Sequence, residues 1–128
     1  MGRPNKGIKV GREKEYFAEK SKENYEKNKE KRKIQMRATH FRRKYGITLE
    51  AYEEMFANQE GICAICGKDE TDIGANSDKT RMLSIDHNHE TGEIRGLLCN
   101  NCNRGLGGFL DNIESLYNAI EYLKKFQQ

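Results

Sequence analysis

No stretch of this sequence approaches the ~18 consecutive apolar residues that a membrane-spanning helix needs, so no membrane partner is expected. The opening Met1-Gly2-Arg3-Pro4-Asn5-Lys6 carries charge with no apolar segment behind it, which argues against a secretory signal. Lys6 stands where N-myristoylation wants Ser or Thr, so that modification is not expected either. Apolar residues are scarce throughout: hydrophobic side chains make up 35% of the 128 residues and charged ones 34%. A chain of this length holds one modest domain plus an appendage. With so little apolar material a single large core is not expected, and an external staple is. No internal repeat is visible, and no feature suggests a small-molecule substrate. The expected home is a reducing cytoplasm, where four cysteines favour a metal over disulfides.

The sequence does contain a marked division of charge. Residues 1–45 carry 16 Lys and Arg against 6 Glu, a net of +10, whereas residues 46–128 carry 7 against 14 acidic residues, a net of −7. A basic arm over 1–44 joined to a body over 45–128 suits a polyanion for the arm and cation sites for the body. The plainer reading of the arm is a solvated, self-paired tail. Residues 1–11, with Gly2, Pro4, Gly7 and Gly11, are expected to be disordered, and Gly2-Arg3-Pro4 resembles the core of minor-groove hooks.

From Arg12 to Lys44 the chain is rich in Glu, Lys, Arg and Gln, all good helix formers, with Glu23–Lys27 and Glu26–Lys29 at ion-pairing spacing. Its sparse apolar residues (Tyr16, Phe17, Tyr25, Ile34, Met36, Phe41) cannot form a buried stripe, so this helix should project from the body or lie on a partner. Lys29, Lys31, Arg32, Lys33, Arg37, Arg42, Arg43 and Lys44 form its basic end, suited to neutralising phosphates without reading sequence. Gly46 breaks the run, and Thr48 reads as the N-cap of a helix over 49–58, stapled by Ile47 and Tyr52. Leu49, Tyr52, Met55 and Phe56 are expected in the core. Residues 68–80 read as an exposed loop. Strands are expected over Arg81–Asp86 and Glu93–Leu98, joined by a turn at 87–92. The segment 103–109 holds Gly105, Gly107 and Gly108, each costing a helix roughly 1 kcal/mol against alanine. It is either a short helix or a place where backbone approaches a ligand closely. Asp111 and Glu114 suggest a capping box for a last helix over 112–126, whose apolar face is Ile113, Leu116, Tyr117, Ile120 and Leu123.

Two Cys-x-x-Cys pairs, Cys63/Cys66 and Cys99/Cys102, supply four thiolates, the donor set of a closed tetrahedral zinc. With no open coordination position this zinc is structural. A redox pair needs only one such motif, and an iron–sulfur cluster has no supporting feature. Zinc binding in finger peptides is worth about 10–16 kcal/mol, which answers the thin core.

Between the pairs lies Asp86-His87-Asn88-His89, and Asn103 directly follows the last cysteine. The zinc should therefore bring Asp86 and His87 close to Asn103. Carboxylate and amide oxygens are hard donors suited to Mg²⁺, which polarises a phosphodiester. An imidazole can take the proton of an attacking water. The plainer readings of His87 and His89 are ordinary loop histidines or additional zinc ligands. Arg95 and Arg104 flank this set, as phosphate contacts or as surface ion-pair residues.

The run Cys63-x-x-Cys66, Ile85-Asp86-His87-Asn88-His89, then Ile94-Arg95-Gly96-Leu97-Leu98-Cys99-Asn100-x-Cys102-Asn103 resembles the recombination endonuclease VII family of phage nucleases, within the His-Asn-His or ββα-metal superfamily. The resemblance covers roughly residues 45–125. It implies an α+β, zinc-stapled ββα-metal fold with a basic helical arm before it and a helix after it. It further implies Asp86 and Asn103 as ligands of a catalytic Mg²⁺ (Mn²⁺ substituting), His87 as general base, and His89 assisting at the scissile phosphate. DNA would be the partner, in a host cell, with a homodimer possible. Ser84 departs from the pattern, which sometimes has a histidine there, and no counterpart of the family's long C-terminal region is visible. Two functions follow: a Mg²⁺-dependent endonuclease acting on duplex or branched DNA, or a non-catalytic zinc module that binds nucleic acid. Asp86, His87 and Asn103 separate them, because a binding module needs neither a hard-metal site nor a base.

Overall fold

The computed structural model describes residues 10–127. Its elements are α1 (Val10–Tyr45), α2 (Leu49–Asn58), β1 (Ser84–His87), β2 (Ile94–Leu98), α3 (Asn100–Gly108) and α4 (Ile113–Lys124). The expectations for Gly2-Arg3-Pro4, and for disorder before residue 10, lie outside the described residues. Gly11, included in that expected disorder, instead belongs to the first turn of α1.

The 36 residues of α1 make a rod about 54 Å long. Almost all of its side chains are exposed until Phe41, the one that enters the core. The expected Glu–Lys pairs are replaced by Lys20–Glu23 at 3.1 Å and Lys33–Glu30 at 3.5 Å. Three residues apart also brings side chains together on a helix, and such exposed pairs add little stability. Arg42, Arg43 and Lys44 complement the negative end of the helix dipole. Gly46 then takes a left-handed φ of 68°, and its N–H returns to the Arg42 carbonyl at 3.1 Å. Thr48 caps α2 as expected, its Oγ1 accepting from the Ala51 N–H at 3.1 Å. An arm boundary at residue 44 would fall inside α1, three residues beyond the buried Phe41.

The core is small: Phe41, Tyr52, Leu83, Ile85, Leu97 and Leu98, together with Cys63 and Cys99. The Phe41 and Tyr52 rings lie 5.1 Å apart, and the Tyr52 hydroxyl donates to the Leu83 carbonyl at 2.8 Å. One residue thus joins α1 and α2 to the entry of β1. Phe56, expected in the core, is 42% exposed and covers Gly61 instead. Gly61 has a φ of 73°, and a Cβ there would stand 3.1 Å from the Phe56 ring.

β1 and β2 form a two-stranded antiparallel sheet, shorter than expected because both strands begin later. Ser84 faces Leu98, Ile85 faces Leu97 and Asp86 faces Gly96, but His87 faces Ile94. The register slips between Asp86 and His87, leaving Arg95 as an extra residue on β2. The outer side of β2 is met by a side chain. Gln59 accepts from the Leu97 N–H and donates to the Leu97 carbonyl, each at 2.9 Å.

The glycine-rich segment is a helix, α3, packed across both strands. Tertiary contacts override its poor propensity. Glu70 accepts from the Asn100 N–H at 2.6 Å, and Cys99 Sγ accepts from the Cys102 N–H at 3.5 Å, so the first turn is capped twice. The cap of α4 is Asn112, whose side chain accepts from the Ser115 N–H at 2.8 Å, and not Asp111. The expected apolar face of α4 is largely in solvent: Ile113, Tyr117, Ile120 and Leu123 are all exposed, and only Leu116 is half-buried.

Candidate active site

The four predicted cysteines converge. Cys63, Cys66, Cys99 and Cys102 place their sulfurs within 4.8 Å of one another. The tetrahedron formed by four sulfurs about 2.3 Å from a zinc has edges of about 3.8 Å. The Cys66 and Cys99 sulfurs are 3.8 Å apart. The residues therefore fit a closed zinc site, with no need for a histidine in the shell. Burial alone would raise the Cys63 thiol, but N–H groups of Cys66, Cys99 and Ile65 carry it down to about 6. Burial pushes Cys102 up to about 12, and the neighbouring sulfurs add to the shift. Without a cation the cluster tolerates little charge, whereas a zinc stabilises every thiolate at once. Among the described residues this is the one group of three or more His, Cys, Asp or Glu side chains gathered as metal ligands.

The two knuckles clamp opposite ends of one unit. Cys63-Ala64-Ile65-Cys66 turns back through the Gly67 N–H to the Cys63 carbonyl at 3.0 Å, and the Ala64 N–H donates to Leu97. Cys99 follows β2 as the N-cap of α3 and Cys102 lies in α3, so the cluster fixes how α3 meets the hairpin. The loop between the knuckles adds a polar tie. Asp72 accepts from Asn100 at 2.9 Å and pairs with Arg81 at 2.8 Å, beside the Glu70 cap.

On that frame Asp86 and His87 are consecutive residues of β1, and Asn103 lies in the first half of α3. Asp86 is nearly buried, with 11% of its side chain exposed. Its carboxylate is gripped by Arg95, Nε donating to Oδ2 at 2.7 Å and Nη2 to Oδ1 at 2.8 Å. The same Nη2 donates to Asp111 at 3.0 Å. These bonds, those to Asp86 foremost, hold the guanidinium pKa above even its ordinary high range.

His87 is half-buried, its ring 4.5 Å from that of His89 and 5.4 Å from Tyr45, which meets it edge-on. Tyr45 is the last residue of α1, and Lys44 reaches over its ring at 5.3 Å. The end of the basic helix therefore touches the candidate base. Asn88 shapes the turn after it: its Oδ1 accepts from the N–H groups of Glu90 and Thr91 at 2.8 and 3.1 Å. A cleft of about 470 Å³ opens between this turn and the end of α3, lined in part by His89, Glu90, Arg95, Gly107 and Asp111. A nearly buried carboxylate, an adjacent imidazole and an amide-bearing helix across both strands are parts suited to hydrolysing a phosphodiester.

A sequence model of the recombination endonuclease VII family matches residues 38–125. The chain belongs to that family. Gene 59 protein of Mycobacterium phage D29 is 46% identical over 82 residues, which is 63% of this chain and 46% of that protein. Gene 59 protein of Mycobacterium phage L5 is 48% identical over 80 residues, 62% of this chain and 44% of that protein. The matched region thus spans less than half of either relative. Among solved structures, the ββα-Me type II restriction endonuclease Hpy99I matches with 33% identity and a TM-score of 0.42, over 62% of this chain and 50% of that one. No helix among the described residues is long and apolar enough to cross a membrane.

The family match covers every proposed metal and catalytic residue, and of the predicted basic residues Arg42, Arg43, Lys44, Arg95 and Arg104. Lys31, Arg32, Lys33 and Arg37 precede it on α1, all exposed. Arg32 and Arg43 line a shallow groove along α1 with His40 between them. Arg104 is exposed on α3, while Arg95 is committed to two carboxylates. Sequence reasoning missed Tyr45, Asp111 and the turn-forming role of Asn88. Asn88 had a local signal in the Asn-x-Glu-Thr-Gly spacing of an Asx turn, and Tyr45 one in its helical spacing from Phe41.

Proposed function

We propose that this chain is a Mg²⁺-dependent DNA endonuclease, with Mn²⁺ able to substitute, whose Cys63/Cys66/Cys99/Cys102 zinc is structural. The observation that supports the reading is that Asp86 and His87 are consecutive on β1, a strand packed against α3, the helix that carries Asn103 and the zinc-site Cys102. Asp86 and Asn103 offer hard oxygen donors, and the sulfurs that would select a softer metal are gathered elsewhere. A divalent cation held by these two residues would polarise the phosphodiester and stabilise the leaving oxygen.

His87 takes the proton of the attacking water as its oxygen bonds to phosphorus, and the bond to the leaving oxygen breaks. Tyr45 limits the swing of the His87 ring, and His89, whose ring lies 4.5 Å from that of His87, assists at the scissile phosphate. The exposed bases of α1, from Lys31 to Lys44, neutralise phosphates of the same DNA, and Arg104 adds a contact beside the cleft. Arm and catalytic body over 1–44 and 45–128 act together through Tyr45. Cutting both strands would need two sites, hence a homodimer. The setting is the cytoplasm of a phage-infected cell.

The test incubates the full chain with Mg²⁺ and supercoiled, linear and four-way-junction DNA in parallel, alongside His87→Ala. Mg²⁺-dependent cleavage that is lost in the variant, with DNA binding and zinc content retained, is the expected result. Junction cleavage alone would make the enzyme structure-selective. DNA binding with no cleavage in any arm would leave a zinc-stabilised binding module and refute the nuclease reading.

A further inference from the structure

Arg95 is held by three hydrogen bonds to two carboxylates. It is the extra residue of the bulge between Asp86 and His87. Bulges re-aim side chains, and this one turns the guanidinium onto the strand opposite. There it binds Asp86 through two nitrogens and Asp111 through one of the same two. The two carboxylates differ. Asp86 is nearly buried on β1, while Asp111 is 28% exposed on the rim of the cleft. Asp111 is aimed inward by an unusual backbone, since Leu110 and Asp111 both take a φ of 54°. Two successive non-glycine residues in the left-handed region carry a conformational cost, which the surrounding contacts must offset.

We propose that Arg95 is an exchangeable internal cation of the Asp86 site: it holds the carboxylate while no metal is bound, and turns wholly onto Asp111 when a divalent ion arrives. The inference rests on the metal reading above and adds a residue pair to it. A buried carboxylate with no counter-charge is costly, so Asp86 needs a cation at all times. A divalent ion and a guanidinium held on the same nearly buried carboxylate repel each other. The guanidinium is the one able to give way, because the fork already has a bond to a second carboxylate. The cleft beside Arg95 and Asp111 gives it room to turn. After the exchange Arg95 still lines the cleft that holds His89, with one carboxylate in place of two. Arg95 and Asp111 are therefore positioning residues, acting on the metal site through Asp86.

The test measures Mn²⁺ affinity by electron paramagnetic resonance on the zinc-loaded full chain, without DNA. Arg95→Gln should tighten binding by removing the competitor. Asp111→Asn should weaken it by about two- to fivefold, the range of a partly exposed ion pair, because Arg95 loses its alternative. Loss of a negative charge would weaken cation binding in any case, so the double variant decides. Adding Asp111→Asn to Arg95→Gln should weaken binding clearly less than Asp111→Asn does in the parent chain, the remainder being the bare charge effect. Equal weakening with and without Arg95, or no effect of Asp111→Asn at all, would overturn the exchange while leaving the metal site intact. Absence of any Mn²⁺ binding that Asp86→Asn removes would overturn both. Should Arg95→Gln fail to fold, the Arg95 Nε–H resonance of the unsubstituted chain decides. It should move saturably with Mg²⁺, and a resonance that stays fixed while the ion binds refutes the proposal.

Discussion

Replacing Tyr52 with Phe removes one oxygen and should produce a stability difference that changes with pH in a defined way. The Tyr52 hydroxyl is the link between the two N-terminal helices and the strand carrying Asp86 and His87, donating at 2.8 Å to the Leu83 carbonyl. Tyr52 is 4% exposed and Leu83 equally so. At pH 8 the variant leaves that carbonyl without its donor in a dry site, at a cost of about 1–3 kcal/mol. Burial raises the phenol from 10.0 to about 12, a shift that nearby Arg37 reduces slightly. The sign follows from proton binding. Between those two values the unfolded chain has released the proton and the folded chain retains it, so stability present below pH 10 is lost as pH rises towards 12. At pH 11 the phenol is about nine-tenths ionised when unfolded and one-tenth when folded, a loss of about 1.4 kcal/mol that the Phe variant escapes. The gap between the two proteins should therefore narrow by about that amount from pH 8 to pH 11. Urea unfolding of the zinc-loaded chains, followed by circular dichroism at both pH values, measures it. A gap that stays constant, or a Phe variant as stable as the parent at pH 8, would refute the assigned bond and its burial.

Two further outcomes concern the frame and the arm. Cys102→Ser should abolish stoichiometric zinc and cleavage together, since finger zincs contribute about 10–16 kcal/mol against the roughly 5–15 kcal/mol of a whole small domain. Zinc analysis with near-ultraviolet dichroism checks this, and a metal-free variant that keeps its tertiary signal would contradict it. Deleting residues 1–33 spares Phe41 and should weaken DNA binding, lowering the salt slope by about 0.9 for each phosphate contact removed. Fluorescence anisotropy over a salt series reads the slope, and an unchanged slope would remove Lys31, Arg32 and Lys33, with the rest of the deleted segment, from the interface.

What could be read in the sequence was what short-range spacing encodes. The cysteine pairs, the Thr48 cap and the basic helix each carry their meaning within a few residues. The structure agrees with the zinc cluster and with the order of elements around it. The misses share a cause. Arg95 acquires its role from a bulge, and a register slip leaves no mark on the alternation of β2. Asp111 matched a capping pattern one residue early; Asn112 took the cap, and Asp111 was drawn to a charge 16 residues away. Tyr45 follows Phe41 at helical spacing and packs against its ring, which marks it as a core neighbour; its other partner, His87, is brought up only by the fold. Phe56 and the α4 face kept helical spacing without gaining a surface to bury against, because periodicity reports that a helix has two sides and not that either is covered.

Gln59 bears on how so slight a sheet stays a single ribbon. A two-stranded sheet has two open sides, each able to template a further strand from another molecule. At Leu97 the primary amide of Gln59 satisfies both the N–H and the carbonyl that an incoming strand would need, and Ala64 takes the remaining position on that carbonyl. The side chain stands in for a strand one residue long, with nothing beyond it to extend. In a chain whose core is only a few side chains deep, the strand paired with that of Asp86 and His87 is thereby closed to edge-to-edge association at its most buried position, by a group that costs the sheet no additional backbone.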